Sequence, residues 1–230
     1  SAGAGQTAML RAPARAGRVG VGGVLLDPAG ITITNSVFNS ESKPVVAWNG
    51  QSFSATFSIS PAGTFFQPND VFLVRISSAG QVLDTQPIAA KKPGPDDRKA
   101  ALAGVNGVTQ FAYLVRNQAL QEDVHGAQVD ASGAASAPVD VSTGLARQEY
   151  AQIITTDDAH VIVYASRRSD DSRVLLQRVA ADGSAIDGDA LIVAQAGENW
   201  LYRPDVAFDG QRILVVWNEP NQGVLARRYS

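Results

Sequence analysis

Short runs of β-branched and aromatic residues, broken by small polar turns, recur along this chain. Four apolar runs end at a turn pair: Val45-Val46-Ala47-Trp48 before Asn49-Gly50, Ala101-Leu102-Ala103 before Asn106-Gly107, Ile153-Ile154 before Asp157-Asp158, and Val206-Ala207-Phe208 before Asp209-Gly210. Asn-Gly and Asp-Gly readily take the positive φ angles of tight hairpin turns. From Gly50 to Gly107, Asp158 and Gly210 the steps are 57, 51 and 52 residues. A second run follows each turn: Phe53 to Phe57, Phe111 to Val115, Val161 to Tyr164 and Ile213 to Trp217. These have the length and composition of strands. A third run ends in a basic or polar residue and a bulky one: Arg75-Ile76, Gln128-Val129, Arg178-Val179 and Arg228-Tyr229. A Gly-containing turn and a fourth strand come next. A strand-built period of roughly 40–50 residues is the signature of propeller blades. The pattern predicts an all-β β-propeller of about four four-stranded blades.

Arg75 stands nine positions before Asp84, Arg178 nine before Asp187 and Arg18 nine before Asp27. The segment from Gly23 to Thr34 therefore reads as a fourth strand without its own first and second. The C-terminal repeat has the reverse defect and runs through three strands to Ser230. Joining the N-terminal strand to the C-terminal blade would close the ring and remove free sheet edges. Residues 8 to 19 offer a further third strand, one too many, which leaves open a segment of a larger propeller. The expected organisation is a tail or extra strand over 1–15 and one propeller domain over 16–230. Residues 171 to 181 also fit a capped amphipathic helix. The matching run Val71 to Ile76 reads as strand, and the repeat decides for strand.

Pro44 to Gly50, Ile213 to Trp217 and Arg75 to Asp84 resemble tandem repeats of secreted and cell-surface bacterial β-propeller proteins, an uncharacterised repeat group. The resemblance covers roughly residues 16 to 230 and implies a fold more than an activity, since propellers host many functions. The aspartate-rich calcium loops of integrin-type propellers and the Ser-x-Asp-x-Gly-x-x-Trp box of sialidase-type blades are absent from the sequence.

Composition narrows the chemistry. The chain has 230 residues, 45% of them hydrophobic and 18% charged, which suits a folded globule. A net charge of −3 without a basic run argues against nucleic acid as partner. No apolar stretch is long enough to insert in a membrane. With no cysteine, disulfides, cysteine–zinc sites and thiol catalysis are excluded. Arg outnumbers Lys and Ala and Gly abound, as in a GC-rich bacterial coding bias. The phosphate loop, the dinucleotide fingerprint and the Gly-x-Ser-x-Gly elbow are absent, and no cofactor or metal is expected. His125 and His160 fall in strands without ligand partners at metal spacing and read as structural. Asp187-Gly188-Asp189 reads as a turn, because two carboxylates are too few for calcium. Glu198, Glu219 and Asp97 fall in expected loops as candidate acids.

In a four-stranded blade, the turns between strands one and two and between three and four share one face. Here they are short and monotonous. The other face carries longer, varied loops, including Ser60 to Asp70, Lys91 to Arg98, Arg167 to Arg173 and Glu198 to Arg203. Binding residues concentrate on such loops. Lys43 and Arg203 each lie seven positions before the turn glycine, with Arg98 and Lys99 nearby in register. Trp200 and Tyr202 could stack on sugar rings or pack on a partner chain. The candidate ligand-binding residues are thus Lys43, Arg98, Trp200, Tyr202 and Arg203. Their alternative roles are pairing with Glu41, Asp96 and Glu198 and covering the blade core, where Trp48, Trp217, Phe57 and Phe208 are also expected. The leading expectation is a secreted or cell-surface, non-enzymatic binding or scaffold module for a protein partner or glycan, with the periplasm as the alternative location. An oligomer is left open should another chain complete the ring. The alternative is a hydrolase acting on an anionic sugar or ester at the channel mouth.

Overall fold

The computed structural model describes residues 15–33, 40–60, 70–90, 97–116, 121–144 and 146–230. These form seventeen strands and no helix. Strands β1 (Arg15–Ala16) and β2 (Ile31–Thr32) make a small hairpin. Three four-stranded antiparallel sheets follow. The first holds β3 (Ser40–Trp48), β4 (Ser52–Ser60), β5 (Asp70–Ser77) and β6 (Ile88–Ala90). The second holds β7 (Asp97–Val105), β8 (Val108–Arg116), β9 (Glu122–Val129) and β10 (Val139–Ser142). The third holds β11 (Arg147–Thr155), β12 (His160–Arg167), β13 (Ser172–Val179) and β14 (Leu191–Gln195). Strands β15 (Tyr202–Phe208), β16 (Ile213–Glu219) and β17 (Gly223–Tyr229) form the last sheet. Residues 171 to 181 are strand, as the repeat required.

Each sheet is a meander whose first strand packs beside the first strands of its neighbours: β3 on β7, β7 on β11, β11 on β15. Those four strands therefore line the axis, as in a propeller. Alternation along the strands sends side chains to both faces, and the faces of successive sheets meet in separate apolar layers. Leu73, Leu102, Phe111 and Tyr113 fill the layer between the first and second sheets. Ala101, Ala103, Ala112, Leu114, Ile153 and Ile162 fill the next. Val161, Val163, Val215 and Trp217 fill the last. Trp48 departs from its expected core role, being 44% exposed with its ring 4.8 Å from that of Phe53.

The turns behave as their residues dictate. Asn106 and Gly107 take φ of 52° and 82°, giving a two-residue hairpin between β7 and β8. Asn49 ties that turn to the preceding sheet. Its carbonyl accepts from the Gly107 amide at 2.8 Å, and its side-chain amide donates to the Gly107 carbonyl at 3.0 Å.

The nine-residue Arg-to-Asp spacing is a clasp. The Arg75 backbone amide donates to Asp84 Oδ2 at 2.7 Å, and its Nη2 lies 2.6 Å from Oδ1. The same guanidinium also donates to the carbonyls of Ala131 and Ser132 in the outer turn of the next sheet. Arg18 repeats the arrangement with Asp27 and the Ser78 carbonyl. Arg178 clasps Asp187 at 2.7 Å but has no such carbonyl of a following sheet to reach, and its side chain is 46% exposed against 8% for Arg75. In the second sheet Gln128 replaces the arginine, and its amide donates to Ser136 Oγ at 3.1 Å. The arginine partners hold the carboxyls of Asp27 and Asp187 below the usual carboxylate range.

The expected ring closure is not formed among the described residues. Strand β2 pairs with β1, and the C-terminal sheet has three strands. Ala16, Ile31 and Ile33 instead pack against Ala55, Phe57, Val74 and Ile76 of the first full sheet. The N-terminal hairpin thus packs beside the first four-stranded sheet as a two-stranded sheet of its own. Its own clasp, reaching forward to Ser78, fixes that place.

Candidate functional site

The long-loop face is shaped by one irregularity repeated four times. Every axial strand breaks register near its start: between Ser42 and Val45, Arg98 and Ala101, Glu149 and Gln152, and Tyr202 and Asp205. Such bulges kink a strand and re-aim its side chains. The first residues inside them are Lys43, Lys99, Tyr150 and Arg203. Tyr150 and Arg203 take left-handed φ of 57° and 45°, a conformation uncommon for side chains of this size. By sequence three of the four bulges hold a basic residue; of these the side chain of Arg203 is described.

Beside these bulges lies a cluster of buried carboxylates and arginines. Glu122 opens β9 and is 2% exposed; Glu149, at the β11 bulge, is 5% exposed. One guanidinium touches both: Arg147 Nε lies 3.4 Å from Glu122 Oε2, and its Nη2 lies 3.2 Å from Glu149 Oε1. Arg167, at the end of β12, donates to Glu149 Oε2 at 2.8 Å. Burying a carboxylate is costly unless it is paired, and these two are paired across neighbouring sheets.

Arg167 extends the cluster to the aromatics. Its guanidinium carbon sits 3.4 Å from the centre of the Trp200 ring, a cation–π contact. The Trp200 and Tyr202 rings meet edge-on at 6.0 Å, and Trp200 remains 46% exposed. The result is a continuous rim from Glu122 through Arg147, Glu149 and Arg167 to Trp200 and Tyr202.

The sequence candidates distribute as follows. Trp200 and Tyr202 belong to this rim. Arg203 stands at the next bulge, exposed and without an ion pair to any described residue, so the expected pairing with Glu198 is not made. Lys43 lies in the β3 bulge. Arg98 pairs in register with Leu114, one position before the β7 bulge. The side chains of Lys43 and Arg98 lie outside the described residues. Glu198 is exposed in a turn, and Glu219 accepts from Gln222 at the end of β16. Glu122, Glu149, Arg147 and Arg167 were not singled out by sequence, because they lie at or near strand ends and the Glu122–Arg147 and Glu149–Arg167 pairs span 25 and 18 positions.

The histidines sit elsewhere. His125 Nδ1 lies 2.9 Å from Asp140 Oδ1 on β10, and His160 Nδ1 is 2.9 Å from Thr155 Oγ1. Burial holds the His160 imidazole below its usual value. Among the described residues no cluster of three or more metal-ligating side chains occurs, and no helix is long and apolar enough to cross a membrane.

No family model matches the chain, and no curated protein sequence matches it. Solved structures do. A GH32 β-fructofuranosidase from Bombyx mori superposes with a TM-score of 0.56 at 12% identity, over 84% of this chain and 46% of that one. An endo-arabinase from Bacteroides thetaiotaomicron gives 0.55 at 13% identity, over 86% of this chain and 78% of that one. The Bacteroides ovatus xyloglucan PUL GH43B gives 0.52 at 15% identity, over 84% of this chain and 39% of that one. The chain thus spans under half the length of the first and third. These neighbours correct two expectations. They give no support to an uncharacterised repeat group, and as glycoside hydrolases they overturn the reading of a non-enzymatic binding or scaffold module. What the likeness shows of this chain is its fold, an all-β propeller of the kind found in glycoside hydrolases.

Proposed function

We propose that this chain is a sugar hydrolase working at the long-loop end of the propeller axis. The observation that carries the reading is the attachment of two buried carboxylates, Glu122 and Glu149, to the single guanidinium of Arg147. Glycoside hydrolysis uses two carboxyl groups about 5–9.5 Å apart, one protonating the leaving oxygen and the other attacking the sugar or activating water. A guanidinium shared by both acids keeps them at a spacing of that order. The fold neighbours are glycoside hydrolases, which favours this chemistry over simple binding.

The surroundings suit a sugar. Trp200 offers a ring for stacking against the apolar face of a pyranose or furanose. Arg203, three positions on, is exposed and makes no ion pair with any described residue, and a guanidinium suits a carboxylate or other anionic substituent. Polysaccharide substrates lie outside the cell, so secretion or surface display accompanies this reading.

The test is release of reducing ends from arabinan, fructan, xyloglucan and pectic glycans. Release from one of these classes is expected. Replacing Trp200 by Ala should then raise KM by about tenfold, the loss of roughly 1.4 kcal/mol of sugar stacking, with a smaller change in kcat. Folded protein that releases nothing from any class would contradict the proposal.

A further inference from the structure

Between the second and third full sheets lies a cleft of about 600 Å³ that takes no part in the carboxylate cluster. The inner part of the layer between these two sheets is closed by Ala101, Ala103, Leu114, Ile153 and Ile162, whereas the cleft is lined by Ser142, Thr143, Gln148, Ser166, Arg168, Arg173 and Gln177. Polar side chains at these outer positions do not close the gap as the apolar ones do.

Two groups in this cleft lack partners. Gln148 is 3% exposed; its amide nitrogen donates to the Ala146 carbonyl at 3.3 Å, leaving Oε1 buried with no donor among the described residues. Buried acceptors in folded proteins are nearly always satisfied. Arg168, exposed at the long-loop end, makes no ion pair with any described residue. Arg173 beside it is already held by Asp171 at 2.6 Å. Ser166 adds a hydroxyl, and Leu175 and Ile192 form an apolar wall. From Arg173 to Gln177 the cleft follows β13 for about 13 Å at ~3.3 Å per residue. The carboxylate of Asp189 stands at the far end, away from Arg168.

We infer that this cleft is a second saccharide site, one that takes a short uronate-bearing oligosaccharide. The ligand's carboxylate pairs with Arg168 and a sugar hydroxyl donates to Gln148 Oε1. The sugar carbon faces rest on Leu175 and Ile192. The elongated polar cleft, with Arg168 unpaired among the described residues at one end and Asp189 at the other, accepts a linear, hydroxyl-rich, singly anchored ligand and disfavours a compact polyanion. The inference stands apart from the hydrolase reading, since it uses none of Glu122, Glu149, Trp200 or Arg203.

Isothermal titration of the whole chain with trigalacturonate tests it, with neutral galactotriose as comparator. Saturable binding of trigalacturonate, at least tenfold tighter than of galactotriose, is expected. Arg168→Ala, a surface change that leaves the fold intact, should weaken it at least tenfold. Gln148→Leu should weaken it too, and Glu149→Gln should leave it unchanged. Binding untouched by Arg168→Ala would overturn the inference, as would no saturable binding. Loss of binding in Glu149→Gln with Arg168→Ala unaffected would move the ligand to the axial rim and overturn it as well.

Discussion

Gly104 has no room for a side chain. A β-carbon built there would lie 2.6 Å from the Asn49 α-carbon and 2.8 Å from the Trp48 carbonyl oxygen, both backbone atoms of the neighbouring sheet. Backbone cannot yield as a flexible side chain can. Gly104→Ala should therefore lower stability by about 1–3 kcal/mol, measured by urea unfolding, and loosen the Asn49–Gly107 tie. His160 gives a second prediction at this scale. Burial lowers its folded-state value below the unfolded value of about 6.5. The unfolded chain then binds more protons over that interval, so stability is full above pH ~6.5 and falls as pH drops through the folded value. His160→Gln should flatten the dependence of melting temperature on pH between about 7 and 5. An unchanged slope would assign the effect to other groups.

The clasp that joins strands three and four is the distinctive device at the level of elements. Arg75 and Asp84 are 8% and 7% exposed, and Arg75 also reaches two carbonyls of the next sheet. Removing one partner of a buried pair leaves the other charge stranded, so Arg75→Ala should cost about 3 kcal/mol or more. Arg178→Ala, at the exposed copy of the same clasp, should barely move the melting temperature. Equal losses at both positions would contradict the assignment. The nine-residue interval was legible in the sequence as a repeat, but not as an ion pair. Spacing alone does not say that two side chains turn toward each other across a third-to-fourth-strand turn. The strands themselves were legible because turn chemistry and β-branched runs agreed, and the copy at Val71 settled the ambiguous run at Val174. The bulges were only half legible. Lys43 and Arg203 aligned by distance from their turns, yet the two-residue Asn106-Gly107 turn sets Lys99, rather than Arg98, at the equivalent place. The Glu122–Arg147–Glu149 pairing was hidden, because it arises only when two sheets stand side by side.

Across the whole molecule, the four bulges and the Glu122–Arg147–Glu149 pairing stand at the same end of the sheets. The monotonous turns at the other end lock sheet to sheet through Asn49 and the clasps. That division of labour explains why the propeller was readable from its period while the proposed site was not: the fold repeats, and among the described residues the Glu122–Arg147–Glu149 pairing does not. The N-terminal hairpin shows the limit of counting strands. Its clasp matches that of the other third and fourth strands, but β2 pairs with β1 and not with β17, and Ala16 and Ile31 pack on Phe57 and Val74. The most direct test of the account is the rate of glycan hydrolysis by Glu122→Gln and Glu149→Gln on the best substrate, each variant checked for an unchanged melting temperature. Loss of acid or nucleophile function should lower kcat by about 10²–10⁴-fold in both, while Arg168→Ala keeps wild-type turnover. Full activity in either folded glutamine variant would contradict the placement of the reaction at this pair of carboxylates.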